Sequence, residues 1–302
     1  MNSTDTHQLN AKFGIPKKIS FEVGKGEFPV AVITSKESKV VVSLYGAHVL
    51  SFHPVGQNDV LWMSDLSAFE RAKPIRGGIP VCFPWFGPHE GDPQKPLHGF
   101  ARLSLWEVAS TRVLPEGEVE LQLQMSDSPE TESLWPHKFG NKMTITVGSA
   151  LKVALTCTNV GKGSFTYTDA LHTYLAVSDL TNTKIHGLEG CKYYDALDNG
   201  AVKQQTDKVL MVQKEESRRY FNFTGDCVVE DVGLSRKIRV ARNGSRMTLV
   251  WNPWTETAKK IPDMQDSGYK TFICVEAVNA NEDKVELAPG QSHTLSTSLS
   301  ID

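Results

Sequence analysis

The chain has 302 residues, 40% hydrophobic and 22% charged, with a net charge of −3. That balance belongs to a folded globular protein, and it excludes a global basic field for nucleic acid or an acidic membrane. The first residues lack a signal-peptide core, no apolar run reaches the length of a bilayer span, and the five cysteines have no CxxC or Cys/His spacing, so a cytoplasmic protein without disulfide framework, metal, nucleic-acid or membrane partner is expected.

Taken in chain order, residues 1–18 read as a loose extension of a single domain spanning 1–302. Lys39–Phe52 is rich in Val and alternates with a period of two over most of its length, as strands do. Leu66–Lys73 fits a short helix. Glu118–Met125 alternates strictly, and Lys142–Thr158 reads as two strands meeting near Ser149-Ala150. Arg236–Ala241 and Arg246–Trp251 flank Asn243-Gly244, the strongest short hairpin signal. Met264–Tyr269 fits a turn, and Ser292–Ile301 alternates again after the turn Pro289-Gly290. Helical periodicity is scarce and Pro and Gly recur throughout, which points to an all-β chain of two or more packed sheets.

Three segments carry candidate chemistry. Residues 74–102, PIRGGIPVCFPWFGPHEGDPQKPLHGFAR, form a long loop-like stretch, and loops of that length are usually functional or disordered. Arg76 and Arg102 offer guanidinium forks suited to a phosphate. Gly77-Gly78 would let backbone N–H groups approach an anion, and Phe83, Trp85 and Phe86 offer a stacking face for a sugar ring. The same arginines could instead lie in solvent or pair with Glu90 and Asp92. In Thr166–Val177 a strand would place Ala170, His172 and Tyr174 on one face. His172 is then either a site residue or a hydrogen-bonded core histidine. In Thr271–Val278, TFICVEAV, Glu276 shares a face with Phe272, Cys274 and Val278. A carboxylate in such an apolar run is either a buried group with a raised pKa or the end of a solvated edge. Trp251 and Trp254 in WNPW either wall a pocket or pack in the core.

Together these pieces resemble the aldose 1-epimerase superfamily, and most closely its hexose-6-phosphate mutarotase branch. The likeness rests on IRGGIPVCFPWFG at 75–87, HGFAR at 98–102, LHTYLAVSD at 171–179, WNPW at 251–254 and CVEA at 274–277, in matching order. It implies a large, mostly antiparallel β-sandwich with few short helices and a cleft on one face. It also implies a cofactor-independent isomerase, expected as a monomer, that interconverts the α and β anomers of a hexose 6-phosphate. His172 matches the catalytic acid, Glu276 the catalytic base, Arg76 and Arg102 the phosphate-contacting arginines, and His98 a histidine close to the sugar. In this reading imidazolium and carboxylate stabilise one another's charge. Two positions depart from the pattern. Leu97 stands where the family has Gln, and Ser217 where it has an Asp, with Glu216 a substitute only under a register shift. These leave two alternatives open: an epimerase of free aldoses, or a non-catalytic sugar-phosphate binding protein.

Overall fold

The computed structural model describes residues 5–302. The fold is an antiparallel β-sandwich. A nine-stranded sheet runs, in spatial order, Val209–Leu210, Thr183–His186, Cys227–Asp231, Arg236–Asn243, Ser292–Ile301, Leu151–Asn159, Phe139–Val147, Val119–Ser126 and Glu107–Val113. Facing it is an eight-stranded sheet ordered Ala201–Gln204, Lys192–Asp195, Glu216–Tyr220, Met247–Asn252, Phe272–Asn279, Asp169–Leu171 and Val81–Cys82, with Tyr174–Ala176 also paired to Phe272–Asn279. A four-stranded sheet, Ile19–Val23 to His48–Pro54, covers a third side.

One large apolar core joins the three sheets. Leu121, Leu123, Met143 and Ile145 of the nine-stranded sheet meet Leu171, Ile273, Val275 and Ala277 of the eight-stranded one, and Ile33, Val40 and Phe52 of the four-stranded one. The strand Phe272–Asn279 is buried at every residue, and apart from Glu276 and Asn279 its sequence is wholly apolar. On its outer face Phe272 and Cys274 pack with Trp62, Tyr174 and Met264, while Val278 packs with Cys82, Ala170, Met247 and Leu249. Each large apolar side chain so buried contributes about 1.5–3 kcal/mol. An unpartnered buried polar group costs a comparable ~1–3 kcal/mol, so this strand can hold one polar misfit and still form.

Three expectations need correction. The described part of the N-terminal extension is docked, not loose; residues 1–4 lie outside the described residues. Thr6–Phe13 is a helix capped by Asp5, with Leu9 buried, and Asn10 exchanges two hydrogen bonds with the Phe21 backbone like a strand partner. Leu66–Lys73 is a series of turns, not a helix. The Ser64 hydroxyl accepts from the Leu66 N–H, and the Ser67 hydroxyl accepts from the Arg76 N–H, so local side-chain bonds displace helical ones. The strands flanking Asn243-Gly244 do not form a hairpin. Arg236–Asn243 pairs with Cys227–Asp231 and Ser292–Ile301 in one sheet, and Met247–Asn252 pairs with Glu216–Tyr220 and Phe272–Asn279 in the other. Gly244 (φ +76°) is required by close packing, since a Cβ there would sit 1.8 Å from the Thr294 carbonyl oxygen. The Ser245 hydroxyl then donates to the Met247 and Val278 carbonyls, turning the chain into the second sheet. Among the described residues no helix is long and apolar enough to cross a membrane.

Candidate active site

The outer face of the eight-stranded sheet can be read row by row, because side chains of directly paired antiparallel residues share a face. One row is Ser217, Trp251, Cys274 and Tyr174. The next is Tyr194, Arg219, Leu249 and Glu276. Opposite Glu276 the sheet is interrupted. The chain pairs with Phe272–Asn279 through Leu171, leaves at His172-Thr173, and resumes at Tyr174.

That interruption positions His172. Its N–H donates to the Pro80 carbonyl (3.0 Å), and the Tyr174 N–H donates to the Gly78 carbonyl (2.9 Å), so the RGGIP segment carries on the pairing of Ala170 with Cys82 and Leu171 with Val81. On the other side the Thr173 carbonyl still accepts from the Val275 N–H at 3.2 Å, and the Thr173 N–H turns to the Leu171 carbonyl. The glycines there serve backbone packing and not anion binding. The Gly78 N–H is spent on the Trp62 carbonyl at 2.7 Å. A Cβ on Gly78 (φ +63°) would lie 2.2 Å from the Val49 oxygen. The imidazole stacks on the Tyr174 ring (centroids 4.8 Å apart, 11° between planes) and meets Trp251 edge to face at 5.8 Å.

In this setting His172 Nδ1 stands 3.4 Å from Glu276 Oε1. Glu276 is 1% exposed and His172 8%. The solvated-edge alternative for Glu276 is thus excluded, and His172 Nδ1 and both Glu276 oxygens lack a hydrogen-bond partner. Burial alone drives the Glu276 carboxyl well above the ordinary range. Burial, then the charges of His98, Arg76 and Arg102, drive His172 well below it. Desolvation therefore outweighs the mutual charge stabilisation expected from the sequence and disfavours the charged form of each group.

Arg76 comes from the loop before Gly77. Its Nη1 donates to Tyr174 Oη at 3.0 Å and its Nε to Asp263 at 3.1 Å. Pairing with Glu90 or Asp92 is not seen. Arg102 is 7% exposed; its Nη2 donates to the Leu97 carbonyl at 2.7 Å, and its buried Nε has no partner. Burial lowers its pKa, and it feels the charge of Arg76. Among the described residues it has no carboxylate within ion-pair range. A buried guanidinium without a counter-ion is a charge left uncompensated within the protein.

His98 (φ +62°) accepts the Gly87 N–H at Nδ1, 2.9 Å, and its ring lies 5.8 Å from that of His172. Burial, Arg102 and Arg76 hold its pKa down to about 3. A neutral ring that accepts at Nδ1 must carry its proton at Nε2, which makes His98 a donor. Of the three aromatics offered as a stacking face, Phe83 and Trp85 are in the core, and Phe86 alone packs against His98, at 4.9 Å. Trp251 stands edge to face against the rings of His172 and Tyr174.

The two departures now have physical content. The Leu97 side chain is 53% exposed; only its carbonyl serves the site. Ser217 lies on the cleft face in the row of Trp251. Glu216 lies on the opposite face, buried and doubly bonded to Arg218, so no register shift brings it to the cleft. Asp263 was missed from the sequence. It sits in an irregular segment with no periodicity to mark it.

The comparisons agree with this geometry. The family model described as aldose 1-epimerase matches residues 29–300. An Escherichia coli K12 protein named "Putative glucose-6-phosphate 1-epimerase" is 35% identical over 256 residues, covering 85% of each chain. A protein of the same name from Cenchrus ciliaris is 31% identical over 258 residues, covering 83% of this chain and 77% of its own. The crystal structure of a Salmonella typhimurium "putative mutarotase" superposes with a TM-score of 0.87 at 30% identity, covering 98% of this chain and 99% of that one. With the family model matched over residues 29–300, and the chain matched almost end to end by a solved relative, the chain belongs to the aldose 1-epimerase family.

Proposed function

We propose that the protein interconverts the α and β anomers of a hexose 6-phosphate, glucose 6-phosphate foremost, through the open-chain aldehyde. The observation that carries this reading is the 3.4 Å apposition of His172 and Glu276 in the neighbourhood of the buried Arg102 and the half-buried Arg76. The names of the relatives support it. Both oxygens of a hemiacetal are bonded to the same carbon, so acid and base must each come within hydrogen-bond reach of one small centre. Glu276 takes the proton of the C1 hydroxyl as His172 gives one to the ring oxygen. The C1–ring oxygen bond breaks, rotation about C1–C2 presents the other carbonyl face, and closure reverses both transfers.

The proton count is constant throughout. Carboxylate with imidazolium, and carboxyl with imidazole, hold one proton between them on these two sites. The second form accompanies the open chain, and it is the form that burial favours. Arg102, with Arg76 held by Asp263, takes the phosphate, and His98 Nε2–H donates to a sugar hydroxyl. Holding the ring by its distant phosphate is a positioning effect.

The test is exchange NMR between the anomeric resonances of glucose 6-phosphate and of glucose at equilibrium. Faster exchange of the phosphorylated sugar is expected. Equal catalysis of both would remove the phosphate role, and no catalysis of either would leave a binding protein.

A further inference from the structure

A third group beside the acid–base pair takes no part in anomerisation. Cys274 lies two residues before Glu276 on the same strand and the same face. Its sulfur, a nitrogen of His172 and a carboxylate oxygen of Glu276 all lie within 4.8 Å of one another, and all three residues are buried. His172 Nδ1 and both Glu276 oxygens are buried without partners, so their lone pairs are free to ligate. The sequence hides this set because the histidine is on a different strand from the cysteine.

One imidazole nitrogen, one sulfur and one carboxylate oxygen form a zinc-type donor set. Zinc takes these at about 2.0–2.1, 2.3 and 2.0–2.2 Å, which puts ligand atoms of a tetrahedral centre roughly 3.3–3.6 Å apart. The His172–Glu276 separation of 3.4 Å already fits, and the sulfur needs at most a shift of about 1 Å. We propose that His172, Cys274 and Glu276 form an inhibitory site for a thiophilic divalent cation, zinc foremost, which competes with the sugar for the acid–base pair.

On binding, the S–H bond of Cys274 and the proton shared by the pair are replaced by bonds to the ion, and two protons leave to solvent. Nothing is oxidised or reduced. Thiolate and carboxylate together cancel the dication, so no net charge is buried. The Arg102 charge opposes entry, and Asp263 offsets that of Arg76. Magnesium demands near-octahedral oxygen coordination and does not suit this set. The metal site stands on the geometry alone; the inhibition rests on the catalytic reading above.

Cobalt(II) titration of the intact protein separates the two. A near-ultraviolet sulfur-to-cobalt band is expected in the wild type and absent in Cys274→Ser, while Cys191→Ser, which alters the partly exposed thiol, retains it. Zinc should suppress glucose 6-phosphate exchange reversibly with a chelator. Cys274→Ser should weaken that effect by at least the roughly 10–100-fold typical of losing even an outer-shell partner. Cadmium-113 NMR of the wild type reads thiolate ligation without any variant. Absence of both the cobalt band and a thiolate-shifted cadmium signal overturns the metal site, as does a band that survives in Cys274→Ser. A normal band with a catalytically silent protein would overturn the acid–base reading and leave the metal site standing.

Discussion

Two buried carboxyl groups sit on opposite faces of the same sheet, and burial raises the pKa of both. Glu276 faces the cleft, has no hydrogen-bond partner and stands 3.4 Å from an imidazole. Asp169 is the Cα partner of Asn279 and points inward, because its neighbours alternate: Ala170 packs on the cleft side and Leu171 in the central core. Its Oδ1 accepts from Asn279 at 2.9 Å, and burial lifts its pKa to about 7. A perturbed carboxyl is thus not by itself a catalytic one. Glu276 meets an imidazole on the outer face, whereas Asp169 is held inward by the Asn279 amide.

The contrast can be broken most sharply by paired substitutions. Glu276→Gln keeps the shape and removes the base, so kcat for anomer exchange should fall by about 10²–10⁴-fold with folding retained, whereas Asp169→Asn should leave kcat near wild type. Comparable losses in the two would erase the distinction. Next in size is Arg102→Ala. Losing a charged hydrogen bond of ~1.5–3 kcal/mol should raise KM for glucose 6-phosphate by roughly 10–100-fold and barely change the slow reaction of free glucose; steady-state polarimetry on both sugars checks this. The smallest effect concerns stability. Asp169 has a folded pKa of about 7 against an ordinary 3.8. The unfolded chain releases this proton first, so the contribution of Asp169 is fully present below pH 3.8, declines as pH rises, and is gone above about 7. Asp169→Asn should flatten that part of a denaturation-midpoint curve, and an unchanged slope would show that another group sets it.

Much of this was legible in the residues themselves. Glu276 stood out because a fully buried strand admits few polar residues, and His172 because period-two spacing put it beside Tyr174. The alternating strands are where solvent and core faces differ, as in Ser292–Ile301. What escaped were features fixed by contacts distant in sequence. Asn243-Gly244 mimics a hairpin, but Gly244 is demanded by the Thr294 backbone of another strand. Gly77-Gly78 mimics an anion nest, but its geometry answers to Trp62 and Val49. Asp263 has no local pattern at all. The charge state of the pair also escaped, since desolvation depends on packing that pattern alone does not measure.

The interruption at His172-Thr173 has a consequence for how such a cleft can diversify. The base hangs from a strand whose every residue is interior, and the acid from a two-residue break between buried strand segments, so neither can wander without disturbing the sheet. Arg76, His98 and Arg102 belong to connecting segments outside the strands. Lineages sharing this scaffold can therefore exchange the groups that grip a sugar while inheriting the proton-transfer couple intact.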